Sequence, residues 1–226
     1  MIGIFDSGVG GFCAYQEARR LLPRENILYL ADRKNAPYGT KSEDEIIALT
    51  RADIKRLKNA GARKILIACC TASSIHHKLD DEERQISLPI ITPAAEIAAK
   101  SAKRILVIAT EHTAKSSAFK MEIAKFSDSE VFEIAAQRLV SLVEGGCRDG
   151  RISEECRRQT LGIRETARKL NADCLILGCT HFSHLEREFS RLMPKIKIIS
   201  PAKVGARALV RSLSGEKIEQ GRIIYG

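Results

Sequence analysis

Two segments about 110 residues apart carry nearly the same pattern. Residues 65–73 read ILIACCTAS and residues 175–183 read LILGCTHFS, so each is an apolar run that ends in a small residue, a cysteine and a threonine. Such a run is typical of a buried strand that delivers a thiol to its carboxyl end. Two of them in one chain predict that Cys69 and Cys179 face one pocket.

The duplication extends beyond the cysteines. PIITPA at 89–94 recurs as KIISPA at 197–202, and the first strand, near residue 2, has a counterpart near residue 105. Elements that repeat in the same order predict two pseudo-symmetric α/β domains with mainly parallel sheets flanked by helices, and an active site in the cleft between them. The expected domains are 1–96 and 97–205, and the tail 206–226 is a candidate to rejoin the first.

Within this framework, the spacing of apolar residues predicts the individual helices. Single continuous helices are expected over 72–79, 113–125 and 182–191. Helix 42–60 should begin at Ser42, whose hydroxyl suits a cap and which precedes three acidic residues.

Composition and charge restrict the classes of function. The longest apolar runs in these 226 residues are strand-sized, and no secretory signal is visible, so we expect a cytoplasmic protein without membrane contact. A net charge of +9 favours small anionic ligands. Nucleic acid is not expected as a partner, because the basic residues are scattered and only 5% of residues are aromatic.

The chain has seven cysteines, an odd number, and no CxxC pair. Neither a disulfide framework nor a structural zinc site is expected, and most of the thiols should be buried apolar side chains. Cys69 and Cys179 differ from the rest because a helix start directly after each would make the sulfur more reactive.

Further candidates lie beside the two thiols. His181 suits proton transfer near neutral pH. Asp6, at the end of the first strand, is read either as a helix cap or as an orienting or relay group for a thiol. The segment 37–39 is either a plain turn or a site that offers amides and the Tyr38 phenol to a ligand. No metal site and no organic cofactor are expected, and the glycines at 8–11 lack the spacing of a nucleotide loop.

Four motifs together give a specific resemblance. IFDSGVGG at 4–11, APYG at 36–39, ACCTAS at 68–73 and LGCTHF at 177–182 resemble glutamate racemases, of the cofactor-independent aspartate/glutamate racemase family, over nearly the whole chain. The resemblance implies an isomerase that interconverts L- and D-glutamate, with Cys69 and Cys179 as the two bases, and a role in supplying D-glutamate for peptidoglycan. It also implies helper roles for Asp6, His181 and Glu144, and substrate contacts for Ser7, Tyr38, Gly39, Cys70, Thr71, Thr113 and Thr180.

Two departures from the family pattern concern substrate contacts. Cys70 stands where asparagine is usual, and His112 stands where a glycine is usual. An aspartate or broad-specificity racemase therefore remains an alternative, as does a non-catalytic protein that keeps the racemase fold. Members of the family are often dimers, so a homodimer is a further expectation.

Overall fold

A computed structural model describes residues 1–213 of the chain. The first half contains four strands and five α-helices, with short 3-10 turns at Tyr38–Thr40 and His76–Lys78. In chain order these elements are β1 (Ile2–Asp6), α1 (Phe12–Leu21), β2 (Ile27–Ala31), α2 (Glu43–Asn59), β3 (Lys64–Ile67), α3 (Cys70–Ser74), α4 (Asp81–Ile86), β4 (Ser87–Pro89) and α5 (Ile91–Ala99).

The second half repeats the alternation of strand and helix. Its elements are β5 (Arg104–Ala109), α6 (Glu111–Lys115), α7 (Ala118–Ile123), β6 (Glu130–Ala135), α8 (Gln137–Glu144), α9 (Glu154–Lys169), β7 (Cys174–Gly178), a 3-10 helix (Thr180–Leu185), α10 (Glu186–Leu192), β8 (Lys197–Ile199) and α11 (Pro201–Leu213).

The two halves build the same sheet. The strand orders are β2-β1-β3-β4 and β6-β5-β7-β8, and every pairing is parallel. In such a sheet the strand order reverses next to the first strand, and ligands bind at the carboxyl ends of the two strands on either side of this point. Here those pairs are β1 with β3 and β5 with β7. The expected α/β fold with two parallel sheets is confirmed.

The apolar side chains form three clusters that define the layers. One lies on the outer face of the first sheet and includes Ile54 and Leu57 of α2. A second lies on the outer face of the other sheet and includes Ile163 of α9. The third joins residues of both halves through α1, α5, α7 and α11, so helices shared by the two halves fill the space between the sheets.

Local signals account for some helix starts. Ser42 caps α2: its hydroxyl accepts from the Glu45 amide while the Glu45 carboxylate accepts from the Ser42 amide, a reciprocal capping box. Ser153 caps α9 by accepting from the Cys156 amide. Both starts coincide with serine followed by acidic residues, as the helix dipole favours.

The three single helices expected from periodicity are interrupted. The predicted helix 113–125 is divided into α6 and α7 at Ser117, which takes a left-handed conformation with φ 51°. The helix predicted over 182–191 begins as a 3-10 turn and becomes α-helical only at Glu186, and the one over 72–79 ends as an α-helix at Ser74. In each case the apolar spacing correctly indicated helical backbone, but the prediction of one continuous helix was wrong.

Helix α11 packs against α1 and α5, both from the first half of the chain. The domain limits 1–96 and 97–205 stay a prediction, and residues 214–226 of the predicted returning tail lie outside the described residues. Within residues 1–213, none of the helices has the length and apolar content that a membrane span requires.

Candidate active site

The carboxyl ends of the two sheets face each other. Asp6 ends β1 and Cys69 follows β3, whereas Thr110 follows β5 and Cys179 follows β7. The two halves are in contact at these strand ends: the hydroxyl of Thr180 donates to Asp6 Oδ2 at 3.0 Å. The positions at which each sheet is expected to bind ligands therefore meet across one interface.

Asp6 occupies the centre of this interface. Its side chain is fully buried, and Oδ1 accepts from the Gly8 amide at 2.9 Å while Oδ2 accepts from Thr180. Helix α1 has Gly11 as its cap residue and no side-chain cap, so the capping interpretation of Asp6 does not apply to that helix. A Cβ atom on Gly10 would lie 2.5 Å from Thr180 Oγ1, so only glycine lets the first loop approach the Cys179 turn this closely.

Cys69 is 5% exposed and caps the short helix α3. Its sulfur lies 3.4 Å from Ser7 Oγ and accepts from the Ala72 amide at 3.5 Å. Burial, with a further contribution from the Asp6 carboxylate, raises the pKa of Cys69 to about 11, although the hydrogen bonds from Ser7 and Ala72 act in the opposite direction. The unliganded protein therefore holds Cys69 as a thiol at neutral pH.

Cys179 is 6% exposed and has a different partner. Its sulfur lies 3.4 Å from His181 Nδ1, which is close enough for a hydrogen bond. Burial raises the pKa of Cys179 strongly, and Cys69, Asp6 and Glu144 add to the rise. That Cys69 is among the groups that raise the pKa of Cys179 is consistent with two thiols at one interface.

His181 is buried and links Cys179 to the rim of the cleft. Its Nε2 lies 3.3 Å from Glu144 Oε1, within ion-pair distance, but the contact lacks hydrogen-bond geometry, and Nε2 has no hydrogen-bond partner in the described part of the chain. Glu144 is the last residue of α8, and its side chain is 42% exposed. One nitrogen of the His181 ring thus lies beside the Cys179 thiol, and the other lies beside the partly exposed Glu144 carboxylate.

Three threonine hydroxyls from both halves form a second cluster. Thr71 Oγ1 lies 3.1 Å from Thr110 Oγ1 and 3.4 Å from Thr113 Oγ1, and Thr110 Oγ1 donates to Thr113 Oγ1 at 3.0 Å. All three residues are buried. Hydroxyl protons rotate freely between partners, so such a cluster can turn donors towards a carboxylate. Thr110 was absent from the expected site, although its place after an apolar run is the same signal that marked Asp6.

The Tyr38 phenol, a predicted substrate contact, is already bound by two carboxylates. Its hydroxyl donates to Asp32 Oδ2 at 2.7 Å and lies 3.0 Å from Asp53 Oδ2, and the ring is fully buried. Gly39 packs directly on the second half, where a Cβ would come within 2.6 Å of Thr110 Cβ. In this segment only the main chain is left for a ligand, because the phenol is engaged in the interior.

The two residues that depart from the family pattern lie in different surroundings. Cys70 is buried in the shared apolar cluster, and burial, together with the neighbouring Cys179 and Cys69, raises its pKa well above the ordinary value. His112 Nε2 is buried without a hydrogen-bond partner among residues 1–213. Burial lowers the pKa of His112, while Glu43 from the first half opposes this change.

Metal ligands are not grouped in this region. Across the described part of the chain, no cluster of three or more histidine, cysteine, aspartate or glutamate side chains is arranged to hold a metal ion.

Comparisons with known proteins agree with this geometry. A family model described as Asp/Glu/hydantoin racemase matches residues 14–209. The glutamate racemase of Carboxydothermus hydrogenoformans is 37% identical over 221 residues, which cover 96% of this chain and 81% of that protein.

Solved structures extend the likeness to three dimensions. The glutamate racemase of Francisella tularensis in complex with D-glutamate superposes with a TM-score of 0.89 at 28% identity, covering 99% of this chain and 85% of that one. The Escherichia coli glutamate racemase in complex with L-glutamate gives 0.72 at 25% identity and covers 99% and 88%. The family expected from the four motifs is confirmed: this chain belongs to the Asp/Glu/hydantoin racemase family.

Proposed function

We propose that this protein interconverts L- and D-glutamate, with Cys69 and Cys179 as the two acid–base groups. The observation that carries the proposal is the meeting of two like-oriented sheets, each of which delivers one nearly buried thiol to the same interface. Racemisation requires a proton to leave one face of the α-carbon and another to arrive at the opposite face. Thiols supplied from opposite halves suit that requirement.

The raised pKa values fit the difficulty of the reaction. The α-proton of an amino acid is weakly acidic, and a thiolate whose thiol has a pKa of about 11, as for Cys69, is a stronger base than an ordinary thiolate. One thiol must ionise when the substrate binds, and the other must remain protonated to donate. The ammonium group of glutamate, brought into this buried site, stabilises the thiolate by its charge.

The neighbouring groups differ in the parts they take in this mechanism. Asp6 joins the two halves through Thr180 and fixes the distance between the thiols. His181 orients Cys179 through Nδ1, and the Glu144 carboxylate lies on the other side of the ring, 3.3 Å from Nε2. No cofactor enters the mechanism, so hydroxyls and amides at the site must stabilise the carbanion-like state as its charge develops.

Substrate binding follows from the donors at the interface. The hydroxyls of Ser7, Thr71, Thr113 and Thr180 and the main chain around Gly39 offer hydrogen bonds to the two carboxylates of glutamate. The relatives from Francisella tularensis and Escherichia coli were crystallised with D- and L-glutamate, respectively, which supports this choice of substrate. The proposed role is the supply of D-glutamate for peptidoglycan in the cytoplasm. Both thiols come from one chain, so a homodimer is not needed to complete the site.

Racemisation in heavy water tests substrate and mechanism together. The purified protein, without added cofactor, should bring the circular dichroism of L- and D-glutamate to zero. Early in the reaction, deuterium should appear at Cα of the product enantiomer and not in the recovered substrate, because separate groups remove and return the proton. Deuterium in both enantiomers from the start would indicate one base instead of two.

L-aspartate is the matched control for specificity. Its side chain is one methylene shorter, and we expect turnover at least about tenfold slower than on glutamate. Equal turnover on both would favour a broad-specificity racemase. Binding of glutamate without any exchange of the α-proton would favour a non-catalytic protein with this fold.

A further inference from the structure

Two cysteines outside the racemase site lie close together, on either side of Ser153. Cys147 follows α8, and Cys156 is in the first turn of α9. Between them, Arg148 and Arg151 form a tight turn in which each amide donates to the other's carbonyl oxygen, at 3.0 and 2.8 Å. This turn folds the chain back on itself and brings Cys147 to the start of α9, where Ser153 lies beside both cysteines.

Ser153 completes the arrangement. Its Oγ accepts from the Cys156 amide at 3.2 Å as the cap of α9, and lies 3.1 Å from Cys147 Sγ. Because the Ser153 oxygen is already an acceptor, its hydroxyl proton is free to point at the Cys147 sulfur. The Cys147 sulfur therefore lies within hydrogen-bond distance of the Ser153 hydroxyl, at the positive end of a 16-residue helix.

We propose that Cys147 and Cys156 form a peroxide-reactive dithiol that closes to a reversible disulfide, independently of the two thiols at the racemase site. The proposal rests on the Ser153 hydroxyl, which lies against the Cys147 sulfur and the Cys156 amide, on the short turn that brings the two cysteines together and on the cavity that reaches Cys147.

The acidity of the thiols agrees with this assignment. Burial acts to raise the pKa of Cys147, but the hydrogen bonds from Ser153 and Cys156 and the nearby Arg151 outweigh it, so the pKa lies below the ordinary thiol value. Burial raises the pKa of Cys156 to about 12 and that of Cys69 to about 11. All seven cysteines lie in the described residues, and Cys147 alone shows a lowered pKa. The thiolate is the species that reacts with peroxide.

Cys147 is accessible to a small oxidant. It is 8% exposed and lines a cavity of about 430 Å³, whose wall also includes Val9, Phe12 and Glu144. A hydroperoxide is small enough to reach the sulfur through this cavity. Cys156 is fully buried behind it, which suits a thiol that reacts only with its neighbour.

The chemistry balances with hydrogen peroxide as the oxidant. The Cys147 thiolate attacks one peroxide oxygen, an S–O bond forms, the O–O bond breaks, and the departing hydroxide takes up a proton as water. The product is a sulfenic acid. The Cys156 sulfur then attacks the Cys147 sulfur, an S–S bond forms, the S–O bond breaks, and the hydroxyl leaves with the Cys156 proton as a second water. Two thiols and one peroxide thus give one disulfide and two waters, and an added thiol reverses the change.

Peptide mapping of the full-length wild-type protein tests the proposal directly. The reduced protein is treated with one equivalent of hydrogen peroxide, blocked with N-ethylmaleimide and digested with trypsin. We expect peptides 139–148 and 152–157 to be joined, with the loss of two hydrogens, and to separate on reduction. Cys69 and Cys179 should carry maleimide, which shows that they stayed reduced.

Two variants sharpen the result. In Cys156→Ser, Cys147 should stop at the sulfenic acid and be trapped by dimedone, and in Cys147→Ser, Cys156 should remain a free thiol after the same treatment. If the linked peptide is absent from the oxidised wild type, or if Cys69 or Cys179 is oxidised before Cys147, the proposal is wrong. Because the first readout needs no substitution, a variant that fails to fold leaves the test intact.

Discussion

The Cys69 turn and the Cys179 turn occupy equivalent places in two sheets of the same order, yet they hold their sulfurs differently. Cys69 begins a short α-helix and accepts from the Ala72 amide, with Ser7 Oγ at 3.4 Å. Cys179 precedes a 3-10 helix, caps nothing with its side chain and lies 3.4 Å from the His181 imidazole. The two thiols therefore have equivalent positions in the duplicated fold but different hydrogen-bond partners.

This difference matters because the two thiols would exchange roles with each direction of the reaction. A backbone amide and a hydroxyl stabilise a thiolate at Cys69 without themselves carrying a proton to or from it. An imidazole beside Cys179 can both hold a proton and change its charge. The surroundings of Cys69 therefore offer electrostatic stabilisation, and those of Cys179 offer a proton-transfer partner.

Removal of either thiol should have the largest effect. We expect Cys69→Ala and Cys179→Ala each to lower kcat/KM for racemisation by about 10³-fold or more, because neither half can supply the missing acid–base group. Circular dichroism of L- and D-glutamate measures the loss. Cys174→Ala is the matched control, since Cys174 is a buried cysteine at the amino end of β7, remote from the cleft, and should retain turnover. Near-normal activity in either thiol variant would contradict the mechanism.

Asp6 accepts from Gly8 of the first half and from Thr180 of the second, so its replacement should affect both halves of the site. In Asp6→Asn the amide nitrogen must face either the Gly8 amide or the Thr180 hydroxyl, which now donate to the carboxylate. We expect a loss of about 1–3 kcal/mol in the free energy of unfolding and roughly a 10²-fold loss in kcat/KM.

Urea unfolding and racemisation assays on the same Asp6→Asn preparation measure the two effects. Thr180→Val removes the Asp6–Thr180 bond and one hydroxyl offered to the substrate but leaves the Gly8 bond to Asp6 in place, so it should cost less free energy of unfolding than Asp6→Asn. An Asp6→Asn protein with full activity would remove Asp6 from the mechanism.

Substitutions on one side only should reveal the asymmetry. We expect His181→Asn to lower kcat/KM by about 10²-fold, because it removes a proton-transfer partner. We expect Ser7→Ala to lower kcat/KM by about tenfold, because it removes a single hydrogen bond. Enantiomers have equal free energies, so kcat/KM must fall by the same factor in both directions. Isotope effects measured with L- and D-glutamate deuterated at Cα reveal instead which of the two thiols is affected by a substitution.

The isotope effects should move in opposite directions in these two variants. In His181→Asn the effect should grow for the enantiomer deprotonated by Cys179 and shrink for its mirror image, and Ser7→Ala should reverse this order. If both variants shift the isotope effects towards the same enantiomer, the assignment of separate partners to the two thiols fails.

Sequence predicted the parts of the site that lie at strand ends. An apolar run that stops at a polar residue marks the carboxyl edge of a parallel sheet, and this rule alone placed Asp6, Cys69 and Cys179 together. The same rule applies to Thr110, which follows β5, and would have added it to the hydroxyl cluster. These residues were predictable because their placement depends on short stretches of chain.

Long-range contacts were not predictable in the same way. Tyr38 is turned inwards by Asp53, which lies 15 residues later on α2. Helix α10 begins where it does because the Asp149 carboxylate accepts from the amides of Arg187 and Glu188. Glu144 was a candidate only through the family resemblance, since nothing in its local pattern indicates that it lies near His181. In each case the partner comes from another element, which periodicity does not show.

The last prediction concerns stability alone, in the loops that meet across the cleft. Gly39 rests on Thr110, and its neighbour Tyr38 offers one hydroxyl proton to two carboxylates, Asp32 and Asp53. Asn35 also donates to Asp32, and Arg56 donates to Asp53, so both carboxylates have a second donor besides the phenol. Burial, with a contribution from Asp32, raises the pKa of Asp53 from 3.8 to about 6. The folded protein therefore binds a proton here that the unfolded chain releases.

The sign of the pH effect follows from this raised pKa. As pH rises from about 4 to about 6, the wild type should lose free energy of unfolding on the order of 2 kcal/mol relative to Asp53→Asn, whose amide imitates the protonated acid at every pH. Urea unfolding at pH 4 and pH 7 measures the difference, with the exposed Asp128→Asn as control. A difference between wild type and Asp53→Asn that stays constant with pH would mean that Asp53 is ionised in the folded protein and would contradict the prediction.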